Sequence, residues 1–221
     1  MNITDDKWIQ TIWNWADTNN ISDLEWIKHN SYLESGYFRG LPRDKKKLLE
    51  LTELNLLGSQ LKDLPLEIGN LVQLKKLYLL GNQITHLPTT IDKLTNLEEL
   101  YIPGKQLKEL PKEIGNLKNL NQLLVQENSI SVLPVEIANL SNLQILELGN
   151  NQLTALPKEI GKLTNMLKLT LWKNRLTKLP IEIINLDKLT EFDAFYNKLE
   201  LTQEHVIWLD NLLSNNCDVN I

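Results

Sequence analysis

A thiol and three imidazoles are the side chains of this sequence best suited to nucleophilic or metal chemistry. Cys217 could act as a nucleophile with His205 as its base, because a thiolate forms when a neighbouring base takes the proton. His29 and His86 lie in other contexts, and no two histidines have the spacing of metal ligands. A lone cysteine close to one end of a chain is more typical of an incidental residue than of a nucleophile. The sequence therefore predicts no enzyme activity, no metal site and no cofactor.

Glutamates that recur at a fixed phase are the next candidates for acid chemistry. They are Glu67, Glu113, Glu136, Glu159 and Glu182. Each follows a Leu-Pro pair by two residues, and proline suits the first position of a helical turn because its missing N–H would be unpaired there. A carboxylate at that place stabilises the start of the turn. Their repetition therefore indicates a capping role, not a set of catalytic acids.

The prolines show the period that organises the chain. Pro42 and six later prolines are spaced 23 residues apart, and a period in this range is the signature of a solenoid. Written from its first leucine, the unit is L-x-x-L-x-L-x-x-N-x-L-x-x-L-P-x-x-I-x-x-L-x-x. The units begin at Leu51, Leu74, Leu97, Leu120, Leu143, Met166 and Leu189. One unit cannot bury its own leucines, so stacked neighbours must supply the missing wall.

This unit resembles the leucine-rich repeat family, in particular the 23-residue intracellular type of Ras-suppressor, scribble-like and many bacterial proteins. The resemblance covers Leu51 to Leu209. It implies an α/β solenoid: a right-handed horseshoe with a parallel concave sheet, short helical turns on the convex side, and helical N- and C-terminal caps. It also implies a ladder of asparagine side chains that bond backbone groups at Asn82, Asn128, Asn151, Asn174 and Asn197. Ser59 and Lys105 depart from this pattern, and the ladder is predicted to break at Lys105, which cannot accept a hydrogen bond.

Three regions follow from the phase of the repeats. Residues 1–50 form a tryptophan-rich N-terminal cap with an incomplete repeat that includes Leu33, residues 51–188 form six repeats, and residues 189–221 form a partial seventh repeat with a helical C-terminal cap. The C-terminal helix is predicted to bury a face of Val206, Leu209 and Leu213, which Trp208 and Leu212 extend, and residues 214–217 are predicted to fray.

The N-terminal region reads as a pair of helices. Ile9, Ile12, Trp13 and Ala16 recur at helical spacing, and Ser22-Asp23-Leu24-Glu25 has the pattern of a capping box that opens a second helix. The pair would cover the first repeat, as the end of a solenoid requires. The alternative is that its tryptophans form an aromatic groove for a peptide.

Charge and cysteine content limit the classes of partner. The formal net charge of −5 argues against a general nucleic-acid binder, and residues 189–221 carry it, with six acidic side chains and one basic. A single cysteine excludes an internal disulfide and is typical of a reducing compartment. No signal peptide or membrane-spanning run is visible. The sequence thus predicts a cytoplasmic monomer, or one delivered into a host cell if the protein is an effector.

Outward strand positions carry the candidate binding residues. Scaffold requirements do not call for apolar side chains there, yet these positions hold Leu57, Tyr78, Leu80, Tyr101, Leu124, Trp172 and Phe195. Adjacent repeats lie about 5 Å apart, so the first five would be contiguous, and Trp172, Phe195 and Tyr196 would form a second cluster near the acidic end. Apolar clusters rimmed by charge are typical of binding surfaces, although single exposed apolar residues are common.

The sequence favours a non-enzymatic module that binds a partner protein on its concave face. One alternative is a bacterial effector or regulator that inhibits a bound enzyme by blocking its active site. Another alternative is a binder of glycans or small molecules. It is the weaker one, because a short solenoid offers no obvious closed pocket.

Overall fold

The computed structural model describes residues 6–27, 37–104 and 106–221. These residues form helices α1 to α3, at Lys7–Thr18, Lys45–Leu49 and Gln203–Ser214. The strands β1 to β10 are Glu25–Ile27, Tyr37–Arg39, Glu53–Asn55, Lys76–Tyr78, Glu99–Tyr101, Gln122–Leu124, Ile145–Glu147, Lys168–Thr170, Glu191–Asp193 and Asp218–Asn220. The short 3₁₀ turns are Leu66–Asn70, Thr89–Lys93, Lys112–Asn116, Val135–Asn139, Lys158–Lys162 and Ile181–Asn185.

A parallel sheet runs through the repeats in the order β10-β9-β8-β7-β6-β5-β4-β3. Equivalent residues of successive repeats are direct partners; Leu77 of β4, for example, pairs with Leu54 of β3 and Leu100 of β5. The central residues of strands β3 to β9 are buried, as is the isoleucine at the third position of each 3₁₀ turn, and together they form one continuous core. The solenoid with a parallel sheet that the sequence predicted is confirmed.

The proline of each repeat starts the 3₁₀ turn opposite the sheet. Pro111, for example, is extended at φ −67° and ψ 149°, and its carbonyl accepts a hydrogen bond from Ile114 N at 3.0 Å. Ile114 is fully buried, so the turn anchors the convex side to the core. Glu113 lies in the first turn, as the capping interpretation predicted. A side chain at Gly115 would overlap the backbone of Glu136 in the next repeat, so glycine here permits close stacking of turns.

The asparagine ladder is confirmed at the strand exits. Asn151 accepts a hydrogen bond through Oδ1 from Ile130 N at 3.0 Å, and its Nδ2 donates to the carbonyls of Val125 and Leu148, each at 3.0 Å. The same three contacts recur at the equivalent asparagines Asn82, Asn128, Asn174 and Asn197. Each amide thereby joins its own repeat to the preceding one. The predicted break at Lys105 lies outside the described residues.

A second set of asparagines links the repeats on the exposed side of the turns. Each donates from Nδ2 to a carbonyl 24 residues earlier, and they are Asn96, Asn119, Asn142 and Asn165. The donors are exposed, so each hydrogen bond competes with water. This set was not predicted from the sequence, because its position in the unit also holds Gln73 and Lys188.

At the N-terminal end, the predicted first helix is confirmed and the second is wrong. Helix α1 buries Ile9, Ile12 and Ala16 against the core. Residues Ser22 to Glu25 lead instead into strand β1, which pairs antiparallel with β2.

Two contacts explain why a hairpin forms at the N-terminal end where a helix was predicted. The Asp23 carboxylate accepts from Leu24 N and from Arg43 N, which joins this segment to the chain that follows β2. Trp26 and Phe38 pair across the strands with ring centroids 4.8 Å apart, a favourable contact that only the hairpin allows. Leu33 lies outside the described residues.

At the C-terminal end, helix α3 is confirmed, and its buried face agrees with the prediction in part. Trp208, Leu209 and Leu212 are buried as predicted, and so is His205. Val206 and Leu213 are exposed, so their predicted burial is wrong. Trp208 packs edge-on against Phe192 at 5.1 Å, which turns this face toward the core.

The segment after α3 is ordered into the sheet. Cys217 is buried, and Asp218–Asn220 form β10, which pairs in parallel with β9. The predicted fraying of residues 214–217 is therefore wrong at Cys217. The helix and strand both contact the last repeat, and the capping role of both ends stays a prediction.

Replacing one ladder amide tests the buried linkage between repeats. Asn151→Ala is expected to lower the free energy of unfolding by about 1–3 kcal/mol, because it leaves the buried Ile130 N–H unpaired, whereas the carbonyls of Val125 and Leu148 still accept from Asn128 and Asn174. Urea denaturation measures this loss. Asn142→Ala is the matched control: it removes an exposed hydrogen bond to the preceding repeat and should cost less than about 1 kcal/mol. Equal losses in the two variants would contradict the assigned role of burial.

Substitutions on α3 test its packing against the last repeat. Trp208→Ala is expected to cost about 3–5 kcal/mol, because it empties a buried contact with Phe192. Leu213→Ala, at a side chain 53% exposed, should change stability by no more than about 0.5 kcal/mol. Thermal and urea unfolding of both variants give the comparison. A larger loss of stability in Leu213→Ala would show that Leu213 is buried, as the sequence predicted.

Candidate functional site

The concave face consists of the outward positions of strands β3 to β9. On β5, Leu100 is fully buried while Glu99 and Tyr101 on either side are partly exposed, and most strands repeat this alternation. Asn55 and Thr170 are exceptions, because both are buried at outward positions. Parallel pairing in register sets equivalent outward side chains side by side, so the face is a set of columns with one residue from each repeat.

The first cluster of predicted residues is contiguous along one column. Tyr78 pairs in register with Tyr101, and Tyr101 with Leu124. The two tyrosine rings meet edge to face, with centroids 6.3 Å apart and planes at 76°. All three side chains are half-buried, so each presents part of its surface to the concave side.

Leu57 and Leu80 join this cluster at the strand exits. Both are half-buried, and together with Tyr101, Pro103 and Gln126 they line a groove of about 570 Å³. Glycines at the next residue, Gly58 and Gly81, have φ values of +63° and +74°, a conformation that side chains disfavour. The sequence thus places an apolar groove beside the tyrosines, and the five predicted residues lie on one surface.

A polar network anchors one edge of the first cluster. The Tyr78 hydroxyl donates to Glu99 Oε2 at 2.6 Å, and Lys76 Nζ pairs with Glu99 Oε1 at 2.8 Å. Burial, together with the hydrogen bond to Glu99, raises the pKa of Tyr78 well above its ordinary value. The same carboxylate raises the pKa of Lys76 through its hydrogen bond. Tyr78 is therefore held by its hydroxyl as well as by its ring.

The second predicted cluster lies at the C-terminal end of the face. The Trp172 indole covers Gly149, where even a Cβ atom would overlap the ring, so glycine is required beneath it. Phe195 is 41% exposed, and its ring centroid lies 4.1 Å from that of Tyr196, which is 70% exposed. The exposed rings of Phe195 and Tyr196 thus form a continuous aromatic surface.

Charged residues of β7 to β9 occupy the concave face beside the second cluster. Lys168 Nζ pairs with Glu147 at 2.9 Å and with Glu191 at 3.1 Å. Burial acts to lower the pKa of Lys168, but its hydrogen bonds to both carboxylates outweigh burial and raise it. The predicted residues therefore form two apolar clusters, and their role in binding stays a prediction.

An aromatic groove lies at the N-terminal end, where the tryptophan-rich composition gave such a groove as the alternative to a cap. Trp26 and Phe38 are 53% and 52% exposed, and they line a groove of about 570 Å³ that also includes Tyr37, Glu53 and Tyr78. Strands β1 and β2 contribute Trp26, Tyr37 and Phe38, not the predicted pair of helices, because a helix would not have paired Trp26 with Phe38. A role of this groove in binding a peptide stays a prediction.

The groups suited to catalysis are engaged elsewhere. His205 is buried, its Nδ1 accepts from Thr202 N at 3.2 Å, and its Nε2 lies 3.4 Å from the carbonyl of Pro180. Burial raises the pKa of the Cys217 thiol, which disfavours the thiolate. Within residues 6–27, 37–104 and 106–221, no group of three or more His, Cys, Asp or Glu residues could hold a metal ion. His29 lies outside the described residues.

The described helices were also compared with the length and hydrophobicity that a membrane span requires. In the part of the chain that the structure describes, every helix is too short or too polar to cross a bilayer.

A spectroscopic titration tests the environment of Tyr78. Because its raised pKa favours the neutral hydroxyl in the fold, the stability it contributes is present below its ordinary pKa of 10.0 and is lost as the pH rises through the raised value. Absorbance at 295 nm should show an ionisation of Tyr78 well above its ordinary pKa of 10.0, and this step should be missing in Tyr78→Phe. Glu99→Gln should move the step to lower pH. A step unaffected by Tyr78→Phe would contradict the assignment.

Comparisons with known proteins agree with this architecture. A sequence model described as leucine-rich repeat region matches residues 41–128, and one described as leucine rich repeat matches residues 142–163. Comparison with curated proteins finds no significant match.

Solved structures with the same fold include proteins of bacteria and plants. A leucine-rich repeat protein of Leptospira interrogans is 31% identical, with 76% of this chain and 55% of that chain covered and a TM-score of 0.55. The plant peptide hormone receptor RGFR1, solved in complex with RGF2, is 36% identical over 69% of this chain and 26% of that chain, with a TM-score of 0.62. An internalin of Listeria monocytogenes, 24% identical over 81% of this chain and 51% of its own, has a TM-score of 0.67 and shows the fold alone.

These solved chains are longer than the sequence compared with them. The chain spans about half the length of the Leptospira protein and about a quarter of the plant receptor. The intracellular subtype of the repeat stays a prediction. The family matches over residues 41–128 and 142–163 agree with the repeat unit, the parallel sheet and the asparagine ladder. The chain belongs to the leucine-rich repeat family.

Proposed function

We propose that this chain is a non-enzymatic interaction module that binds a partner protein on its concave face. The observation that carries the proposal is the first cluster of Leu57, Tyr78, Leu80, Tyr101 and Leu124. These side chains lie at outward positions, whereas the core is complete without them because the leucines between them are fully buried. Contact with water makes apolar side chains at solvent-facing positions unfavourable, and burial of these side chains under a partner is favourable.

The chemistry of the cluster suits a protein contact. Tyrosine combines a large apolar ring with a hydroxyl and is enriched among the residues that dominate binding energy at interfaces. The edge-to-face contact of Tyr78 with Tyr101 and the hydrogen bond from Tyr78 to Glu99 fix these rings before binding. Pre-ordered side chains lose less conformational entropy when a partner docks.

A similar structure supports the proposal. The plant peptide hormone receptor RGFR1, 36% identical over 69% of this chain, was solved in complex with RGF2. A related solenoid thus forms a complex with a ligand. The enzyme-blocking alternative places the partner on the same surface, so identifying the partner decides between simple binding and inhibition.

Affinity purification from the native cell, followed by mass spectrometry, supplies the partner, and a paired variant tests the surface. Tyr101→Ala with Leu124→Ala should weaken partner binding by at least ~2 kcal/mol, because truncated hot-spot residues cost that much. The same pair should lower stability by less than about 2 kcal/mol, because both side chains are only half-buried. Tyr78 is kept intact because its hydroxyl contributes to the polar network.

Convex substitutions provide the control for this variant. Lys112→Ala with Lys158→Ala changes two exposed side chains on the convex turns and should alter neither stability nor binding. Calorimetry with the purified partner measures all the affinities. A folded Tyr101→Ala, Leu124→Ala protein that binds the partner with full affinity would refute the concave assignment.

A further inference from the structure

The C-terminal end of the concave face combines aromatic rings with carboxylates. Outward positions of β7, β8 and β9 bring Glu147, Thr170 and Asp193 into direct register, side by side across three repeats. Trp172 and Phe195 stand two residues beyond Thr170 and Asp193, at the exits of the same strands. We define this group of Glu147, Thr170, Asp193, Trp172 and Phe195 as the C-terminal subsite.

The negative charge of Asp193 exceeds what the fold requires. Its Oδ1 accepts a hydrogen bond from Phe195 N at 2.9 Å, which fixes the strand exit. Asn55 occupies the same position of the first repeat, and its Oδ1 accepts in the same way from Leu57 N at 3.1 Å. The chain itself therefore shows that a neutral amide serves this structural purpose. The charge at Asp193 needs another explanation.

The charges around Asp193 leave it uncompensated. Lys168 lies on this part of the face, and it is already paired with Glu147 and Glu191. Among the residues that the structure describes, no ion pair to Asp193 occurs. Residues 189–221 carry six acidic side chains and one basic, so the charge of the surrounding segment does not offset it.

Thr170 is an independent sign that the subsite is incomplete. This residue is 5% exposed and lies in register between Glu147 and Asp193. Its hydroxyl oxygen is buried and has no hydrogen-bond partner in the described part of the chain. Buried hydroxyls are normally bonded, because an unpaired one loses its interaction with water. An unpaired hydroxyl thus lies between two carboxylates, two residues before the rings of Trp172 and Phe195.

We propose that the C-terminal subsite binds a cationic side chain, arginine or lysine, of the partner protein. This inference rests on the proposed function and names the chemistry that the partner must carry. A guanidinium or ammonium group pairs with carboxylates through charge-assisted hydrogen bonds and is attracted to the faces of Trp and Phe rings. Gly149 lets the Trp172 indole lie against the sheet in one fixed place, so the subsite is formed before the cation arrives. The partner segment at this end of the solenoid is therefore basic, while the segment over Tyr101 and Leu124 is apolar.

A peptide titration tests the subsite without the natural partner. The probe is the peptide acetyl-Gly-Ser-Arg-Ser-Gly-amide, and the matched control carries citrulline, a neutral isostere, in place of arginine. In spectra of the ¹⁵N-labelled protein, the Trp172 indole signal, assigned by its absence in Trp172→Phe, should shift on addition of the arginine peptide. The arginine peptide should bind at least five times more tightly than the citrulline peptide.

Asp193→Asn is the decisive variant for this subsite. It keeps the hydrogen bond to Phe195 N, as Asn55 does for Leu57, and removes only the charge. Melting temperature should stay unchanged, and affinity for the arginine peptide should fall at least fivefold. Equal binding of the arginine and citrulline peptides, shifts confined to other tryptophans, or full affinity in Asp193→Asn would each overturn the proposal.

Binding of the purified partner separates this inference from the proposed function. If both hold, Asp193→Asn weakens partner binding and reduces its salt dependence, and Tyr101→Ala with Leu124→Ala weakens it independently. If the tyrosine-leucine pair weakens binding while Asp193→Asn changes neither affinity nor salt dependence, the cationic subsite is refuted and the concave interaction stands. If neither variant weakens binding, both are refuted.

Discussion

The fold depends on the hydrogen bonds that each buried asparagine makes at the exit of its strand. A side-chain amide offers donors and an acceptor together, so one residue satisfies an N–H and a carbonyl of the preceding repeat as well as a carbonyl of its own, as Asn151 does. The carbonyls of Val125 and Leu148 are shared with Asn128 and Asn174, whereas the N–H of Ile130 is bonded by Asn151 Oδ1. Without the amide this buried N–H would be unpaired, which costs more than a lost surface contact. The ladder therefore holds successive repeats in one register.

The shared register aligns equivalent residues of the repeats on one surface. Because Leu77 pairs with Leu100, and Leu100 with Leu123, the outward neighbours of these leucines line up as columns on the concave face. The core and the ladder constrain the residue types at the inward positions of each strand. They leave the residue types at the outward positions unconstrained. Two devices then order the side chains placed there: Glu99 holds the hydroxyl of Tyr78, and Gly149 makes room for the indole of Trp172.

Features that repeat within one unit could be predicted from the sequence, and those that depend on contacts between distant segments could not. The strands, the turns after each proline and the ladder follow from the 23-residue pattern, and so do the two apolar clusters of the concave face. The hairpin of β1 and β2 was missed because the local signal of Ser22 to Glu25 favours a helix, whereas the contact of Trp26 with Phe38 decides the outcome. The buried face of α3 is likewise set by Phe192, and β10 forms because β9 offers an open edge. Hydrogen bonds such as that from Tyr78 to Glu99 depend on side-chain geometry that spacing alone does not specify.

Hydroxyl-radical footprinting of the complex with the purified partner tests the central claim most directly, because aromatic side chains are oxidised in proportion to their exposure. The account predicts that the partner protects Tyr101 on the first cluster, together with Trp172 and Phe195 of the C-terminal subsite. Exposed apolar residues of the convex turns, Leu66 and Val135, should be oxidised to the same extent with and without the partner. Protection of Leu66 and Val135 with unchanged oxidation of Tyr101, Trp172 and Phe195 would show that the convex side, not the concave face, is the contact surface.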